Sequence, residues 1–210
     1  MSAGQVSLAH HFLYALLWLS FGLGHSLLAD ARIKARLKPV FRAGYRLAYN
    51  LFAVAHIALV LGAGWWLLGE GVPFDRAAAL RALQIGASLL GAGVLLVALF
   101  GYDLGRFAGT AQLRAEAQGK FLDDEEPLRL AGLHRYVRHP IYSGAFLLLW
   151  GRVADEFSLA TAIWASFYLW IGARYEERRL IARFGESYAR YRAAVPAFVP
   201  WKGRAWTDST

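Results

Sequence analysis

Residues Ser7–Ala29 read SLAHHFLYALLWLSFGLGHSLLA, 23 positions without an Asp, Glu, Lys or Arg. As a helix rising 1.5 Å per residue the stretch is about 34 Å long, enough to cross the roughly 30 Å hydrocarbon core of a bilayer. It lacks a positively charged leader and is too long for the apolar core of a signal peptide, so it is expected to persist as a membrane helix. Two comparable runs follow: Tyr45–Gly69, YRLAYNLFAVAHIALVLGAGWWLLG, and roughly Ala77–Tyr102, which contains LLGAGVLLVALFGY. Two shorter runs, Pro140–Val153 and Phe157–Ala173, are joined by Ala154-Asp155-Glu156. This pattern predicts an all-α integral membrane fold of about five transmembrane helices. The last two form a helical hairpin, and residues 174–200 form a cytoplasmic amphipathic C-terminal helix ending at Pro196 and Pro200.

The rest of the chain agrees with that reading. Of its 210 residues 57% are hydrophobic and 18% charged, where a soluble chain averages about 45–50% and 25%. A soluble enzyme this apolar would expose much of that surface to water. There is no Cys, so disulfides, thiolate zinc sites and cysteine nucleophiles are excluded, and no metal site is expected.

The net charge of +8 would suggest nucleic acid in a soluble protein. Here the cations are placed by topology. Arg32, Lys34, Arg36, Lys38 and Arg42 lie between the first two runs and Arg46 at the very start of the second, against the single acid Asp30. Arg174, Arg178, Arg179, Arg183, Arg190, Arg192, Lys202 and Arg204 follow the fifth. The connections at 70–76 and 152–156 are nearly neutral. The excess of positive charge on the inner side sets the N-terminus outside and the first loop, residues 103–138 and the C-terminus in the cytoplasm. No nucleic-acid partner is needed. Residues 1–102 are then a three-helix membrane unit. Residues 103–210 comprise a polar loop with the acidic run Asp123-Asp124-Glu125-Glu126 closed by Pro127, the hairpin, and the tail.

Ionisable residues inside membrane helices are expensive and mark candidate sites. His25 sits near the cytoplasmic end of the first run, His56 near the middle of the second with Asn50 before it, and His10 and His11 near the outer surface. His25 and His56 are either neutral histidines satisfied by a neighbouring helix, proton-accepting or substrate-binding groups, or axial haem ligands.

A second candidate is His134–Gly144, HRYVRHPIYSG. Pro140 suits a first helical turn, so Arg138 and His139 precede a helix N-terminus, where backbone donors, helix dipole and guanidinium could hold a carboxylate or phosphate. The alternative is that Arg138 anchors the helix at lipid headgroups. The third candidate is Glu176-Glu177. An antiparallel hairpin would bring Glu177 beside His139 across 38 positions of sequence. A carboxylate pair facing an Arg/His pair could grip a zwitterion by both ends, unless Arg174, Arg178 and Arg179 merely pair with it on a solvated helix.

RHPIYSG, an apolar hairpin and YEERRLIARFGESYARYRAAVPAFVP in this order resemble the C-terminal half of the isoprenylcysteine carboxyl methyltransferase superfamily, membrane enzymes that use S-adenosylmethionine. GHSLLADARIKARL and YDLGRFAGTAQL resemble the bacterial methanethiol S-methyltransferase branch, and the first helix and RHP segment are shared with NnrU-like proteins. The resemblance implies a cytoplasmic S-adenosylmethionine pocket with Tyr136, Arg138, His139, Pro140, Tyr142 and Gly144 on one wall and Glu176 and Glu177 on the other. Arg178 and Tyr191 are secondary contacts. A thiol acceptor must lose a proton, which makes His25 the candidate base, with Asn50 and Asp103 as neighbours.

The function expected is methyl transfer in a bacterial inner membrane to a small thiol such as methanethiol. An isoprenylcysteine, phospholipid or other lipid-soluble acceptor is the alternative within the class. The rival classes are a haem protein ligated by His25, His56 and His139, and a non-catalytic membrane protein.

Overall fold

Ser7 starts the first helix: its hydroxyl accepts the His10 N–H, while the His10 ring accepts the Ser7 N–H. In this computed structural model residues 7–122, 128, 130–202 and 206 are described; the acidic run, Pro127 and Arg204 lie outside the described residues. From that cap α1 runs Leu8–Ala29 and α2 Ala31–Phe41, where Asp30 caps the backbone N–H groups of Arg32 and Ile33. After a 3-10 turn come α3 (Tyr45–Leu68), α4 (Ala78–Phe100), α5 (Leu104–Ala108), α6 (Thr110–Ala117), α7 (Pro140–Gly151) and α8 (Glu156–Ala194). Among the described residues no strand occurs.

Among the described residues three segments are long and apolar enough to cross a membrane: Leu8–Ala29, the stretch Ala31–Leu68, and Ala78–Phe100. Their outward faces are apolar, with Phe12, Leu16, Leu19, Leu23, Leu59, Trp66, Leu89 and Leu96 all exposed. Such a surface is stable against lipid and not against water. The chain is a membrane protein. The shorter α7, 12 residues and about 18 Å, falls below the span length by itself.

Contacts divide the chain into two units. One holds α1, α2, α3, α5, α6 and the first turns of α8, as far as Thr161. Tyr14, fully buried, packs its ring over Gly64 and its hydroxyl lies 2.8 Å from Thr161 Oγ1. The segment after α4, read from sequence as a polar loop, contains two helices. Asp103 caps α5 by accepting the Arg106 N–H, and Gly109 turns the chain into α6 at φ 96°, where a Cβ would sit 2.5 Å from the Leu47 nitrogen. Arg42 ends α2 at φ 51°, ψ −131°, a conformation natural to glycine that costs another residue about 1–3 kcal/mol.

The other unit holds α4, α7 and the rest of α8. Here α4 and α7 meet backbone to backbone: a Cβ on Gly91 would lie 2.7 Å from the Gly144 carbonyl oxygen, and one on Gly144 2.9 Å from that of Gly91. Close approach through small residues is how helices associate where lipid removes the hydrophobic drive. Beyond α7, Arg76 and Gln84 both donate to the Val153 carbonyl at 2.9 and 2.8 Å. The fifth apolar run does not stop at Ala173; the helix continues to Ala194, broken once at Gly185 (φ 57°, ψ −131°). Past that break Tyr188, Tyr191 and Val195 are buried against Leu128, Leu130, Leu180, Ile181, Phe184 and Trp206.

Candidate functional site

Pro140 begins α7, which fixes His139 as the residue before the first turn. Arg138 and His139 do not leave their backbone donors open to a ligand. The Arg138 N–H donates to the Pro196 carbonyl at 2.9 Å and the His139 N–H to that of Ala197 at 3.0 Å. The Ser143 hydroxyl donates to the Phe198 carbonyl at 2.7 Å. Three consecutive tail carbonyls are thus tied to RHPIYS, a physical reason for RHPIYSG and AVPAFVP to occur together.

The side chains converge on Glu177. Arg138 donates through Nε, and its Nη2 also lies 2.7 Å from Glu177 Oε1. Its Nη1 donates to the carbonyls of Arg192, at 3.0 Å, and Val195. His139 Nε2 lies 3.1 Å from Glu177 Oε1 and its Nδ1 3.5 Å from Glu176 Oε2. Arg192 Nε lies 3.3 Å from Glu177 Oε2. The Tyr142 hydroxyl donates to Glu176 at 3.2 Å, and the Tyr142 ring stacks on His139 with planes 7° apart. Glu177 and His139 are each 5% exposed, whereas the side chains of Glu176 and Arg192 are 49% and 48% exposed. The centre is a sealed ion cluster; its rim offers one carboxylate and one guanidinium.

Charges follow from these neighbours. Burial would raise the Glu177 carboxyl, but hydrogen bonds from His139 and Arg138 and their positive charge hold it at about 2. Burial opposes charge on His139, yet the carboxylates of Glu176 and Glu177 lift it above its ordinary value. Partial burial works against charge on Glu176, but the hydrogen bond and charge of His139, with the Tyr142 hydroxyl, lower it below its ordinary value. The Tyr188 hydroxyl is pushed up by burial and by the charge of Glu177.

Among the other residues singled out from sequence, Pro140 and Gly144 are buried, and Gly144 serves the α4–α7 contact. Tyr191 donates to the His134 carbonyl at 2.6 Å. Tyr136 is exposed, and the Arg178 guanidinium lies over the Tyr175 ring, 5.6 Å from its centroid. Arg192 and Phe198 escaped the sequence reading. In a straight helix 15 residues separate Arg192 from Glu177 by about 22 Å; the break at Gly185 lets them meet. The usable signal was a glycine in a helix otherwise rich in strong formers. Phe198 lies 5.6 Å from the His139 ring and 5.2 Å from that of Phe146. With Phe146, Trp150, Ile163, Ser166, Phe167 and Trp170 it lines an apolar groove of about 510 Å³ formed by residues of α7 and α8.

The first unit holds the remaining candidates. His25 Nε2 lies 2.5 Å from the Tyr49 hydroxyl. The Asn50 amide donates to the carbonyls of Phe107 and Ala108 at 2.9 and 3.1 Å, and Asp103 is the α5 cap. His56 Nε2 lies 3.1 Å from the Ser20 hydroxyl, and His11 Nε2 2.7 Å from Glu156 Oε1. Among the described residues no group of three His, Asp or Glu is arranged to hold a metal ion.

No family model matches the chain, and no solved structure matches it. It is similar to a methanethiol S-methyltransferase of Crocosphaera subtropica, 30% identical over 193 residues, which covers 88% of this chain and 72% of that protein. One of Pseudomonas deceptionensis is 29% identical over 197 residues, covering 88% and 71%. A protein-S-isoprenylcysteine O-methyltransferase of Schizosaccharomyces pombe is 35% identical over 75 residues, covering 33% and 31%.

Proposed function

The chain belongs to the methanethiol S-methyltransferase family, within the isoprenylcysteine methyltransferase superfamily, and on that premise we propose that it transfers the methyl group of S-adenosylmethionine to a small thiol at the cytoplasmic face of a bacterial inner membrane. The observation that carries this reading is the cluster around Glu177: the two motifs that mark the family meet in one place, with a carboxylate and a guanidinium at the rim. The methionine end of S-adenosylmethionine carries an ammonium and a carboxylate. That donor set fits it, Glu176 taking the ammonium and Arg192 the carboxylate.

Arg138 and His139 act one step back, fixing Glu177 and through it Arg192. Tyr142 orients Glu176. Pro140, Gly144 and Tyr191 hold α7 and the tail in place, and Tyr136 and Arg178 lie at the edge.

When bound, S-adenosylmethionine supplies an electrophilic methyl on a sulfonium, and its transfer to a thiolate leaves a thioether and S-adenosylhomocysteine. The protein's part is to align the acceptor sulfur, exclude water and hold the proton the thiol gives up. His25 is the group proposed for that proton, its imidazole oriented by Tyr49; Asn50 and Asp103 brace the surrounding backbone. The apolar groove that Phe198 helps to line favours a second reading, in which a lipid-soluble acceptor enters along α7 and α8.

The topology proposed is five crossings, with α7 and the first half of α8 as the last two and the N-terminus outside. The positive loops and the nearly neutral connections support it.

Calorimetric titration of S-adenosylhomocysteine into the detergent-purified protein tests the cofactor. Micromolar binding, weakened at least tenfold by Glu176→Gln, is expected. Headspace detection of dimethyl sulfide from methanethiol then tests the acceptor, with His25→Ala keeping the binding and losing turnover. A folded protein that binds nothing would sink the reading, and an absorption scan for a haem band would follow.

A further inference from the structure

α2, the turn after it and α6 surround a cavity of about 410 Å³ in the first unit, remote in sequence from Glu177 and used by none of the chemistry above. Its lining includes Lys38, Arg42, Gln112, Glu116, Lys120 and Phe121. We propose that it is a phosphate site for the headgroup of an anionic membrane phospholipid: Lys38, Arg42 and Lys120 take the phosphodiester, and Gln112 accepts a hydrogen bond from a headgroup hydroxyl.

Four observations converge on it. The volume lies within the roughly 300–1,000 Å³ typical of small-molecule sites. Three cations line it against one acid among the described residues, Glu116, which lies 3.1 Å from Arg42 Nε. Arg42, with a side chain 74% exposed, is the one non-glycine at positive φ among the described residues. A charged side chain is kept at the cavity in a conformation that glycine would adopt without strain, and such outliers cluster at ligand clamps. Gln112 is 2% exposed; its Nε2 donates to the Arg106 carbonyl at 3.3 Å, while Oε1 has no hydrogen-bond partner. An orphaned buried acceptor is costly and calls for a donor. The ligand therefore carries both an anion and a hydrogen-bond donor, as phosphoglycerol does and phosphocholine does not.

The surroundings indicate lipid as the source of the phosphate. α2 follows α1, a helix long and apolar enough to cross a membrane, after the single residue Asp30, so its cations lie close to one end of that helix. Phe121 lines the cavity and is exposed, with Lys38 Nζ 5.3 Å from its ring centroid, and Val40 and Phe41, between Lys38 and Arg42 in sequence, are exposed as well. Apolar side chains next to a cationic pocket suit a molecule with acyl chains attached to its phosphate.

The test uses the full chain in nanodiscs of phosphatidylcholine, with phosphatidylglycerol or soluble glycerol 3-phosphate added, read by melting temperature and native mass spectrometry. Phosphatidylglycerol should raise the melting temperature of the wild type, and Lys38→Gln with Arg42→Gln should abolish the shift. Arg42→Gly is the discriminating variant. It should melt higher than wild type in phosphatidylcholine alone, because strain is relieved, yet bind phosphatidylglycerol at least tenfold more weakly. Gln112→Met should lose the preference for phosphatidylglycerol over phosphatidylcholine. Binding of glycerol 3-phosphate without any lipid preference would keep the phosphate site and overturn its lipid source. An equal phosphatidylglycerol shift in wild type and variants, or no response to either ligand, would overturn the site.

Discussion

Glu177 is a carboxylate that cannot be removed cheaply. It is buried and lies within hydrogen-bonding or ion-pair distance of Arg138, His139 and Arg192, so Glu177→Gln leaves two nearly buried cations without their counter-charge. Breaking a buried pair from one side costs about 3–5 kcal/mol, which denaturant unfolding in detergent should read. Glu176→Gln, at the exposed rim, should cost under about 1 kcal/mol while weakening S-adenosylhomocysteine binding. Equal stability losses in the two variants would contradict the division into sealed centre and open rim. The same cluster sets a pH window. Glu177, held at about 2 against its ordinary 4.5, contributes stability that is present above 4.5 and lost as pH falls toward 2. His139, raised above its ordinary 6.5, contributes stability that is present below 6.5 and lost as pH rises through its elevated value. Stability should therefore plateau from about 4.5 to beyond 6.5, and His139→Asn should remove the alkaline limb. A melting curve set against pH checks both limbs.

At the scale of elements, two glycines decide where the cluster can form. Gly185 reverses the direction of the α8 segment and so returns Arg192 to Glu177. Gly185→Ala meets no neighbouring atom but must hold a positive φ, a strain of about 1–3 kcal/mol. It should lower the melting temperature and weaken S-adenosylhomocysteine binding together. A lower melting temperature with binding unchanged would separate the helix break from the site. Gly144 sets the α4–α7 distance; in Gly144→Val a Cβ would meet Leu95 Cγ at 2.8 Å and the Gly91 carbonyl at 2.9 Å. Overpacking of that kind costs about 1–3 kcal/mol. Binding of S-adenosylhomocysteine should fall with it, since α7 carries His139 and Tyr142 at its start.

For the whole molecule the charge pattern predicts sidedness, and the absence of cysteine makes it measurable. Single cysteines at Glu70 and Lys202 should behave oppositely toward a membrane-impermeant maleimide in intact spheroplasts. Glu70→Cys, in the connection before α4, should label; Lys202→Cys should label only after lysis. The reverse pattern would invert the orientation, and labelling of both would change the number of crossings.

Apolar length is a local property, so the three long helices were legible in SLAHHFLYALLWLSFGLGHSLLA and its two successors without any tertiary contact. The family was legible as well, because RHPIYSG and the EE-containing tail are short, ordered strings. The use of those residues was not. Whether the Arg138 and His139 N–H groups face a ligand or a carbonyl depends on where Pro196 and Ala197 return, nearly 60 residues later. Likewise Arg192 becomes a partner of Glu177 only once the chain turns at Gly185. A helical membrane protein carrying a family signature therefore follows from local composition and short motifs alone. Which charges are sealed and which are offered follows only from the fold, because burial and ion pairing depend on contacts that chain separation does not encode.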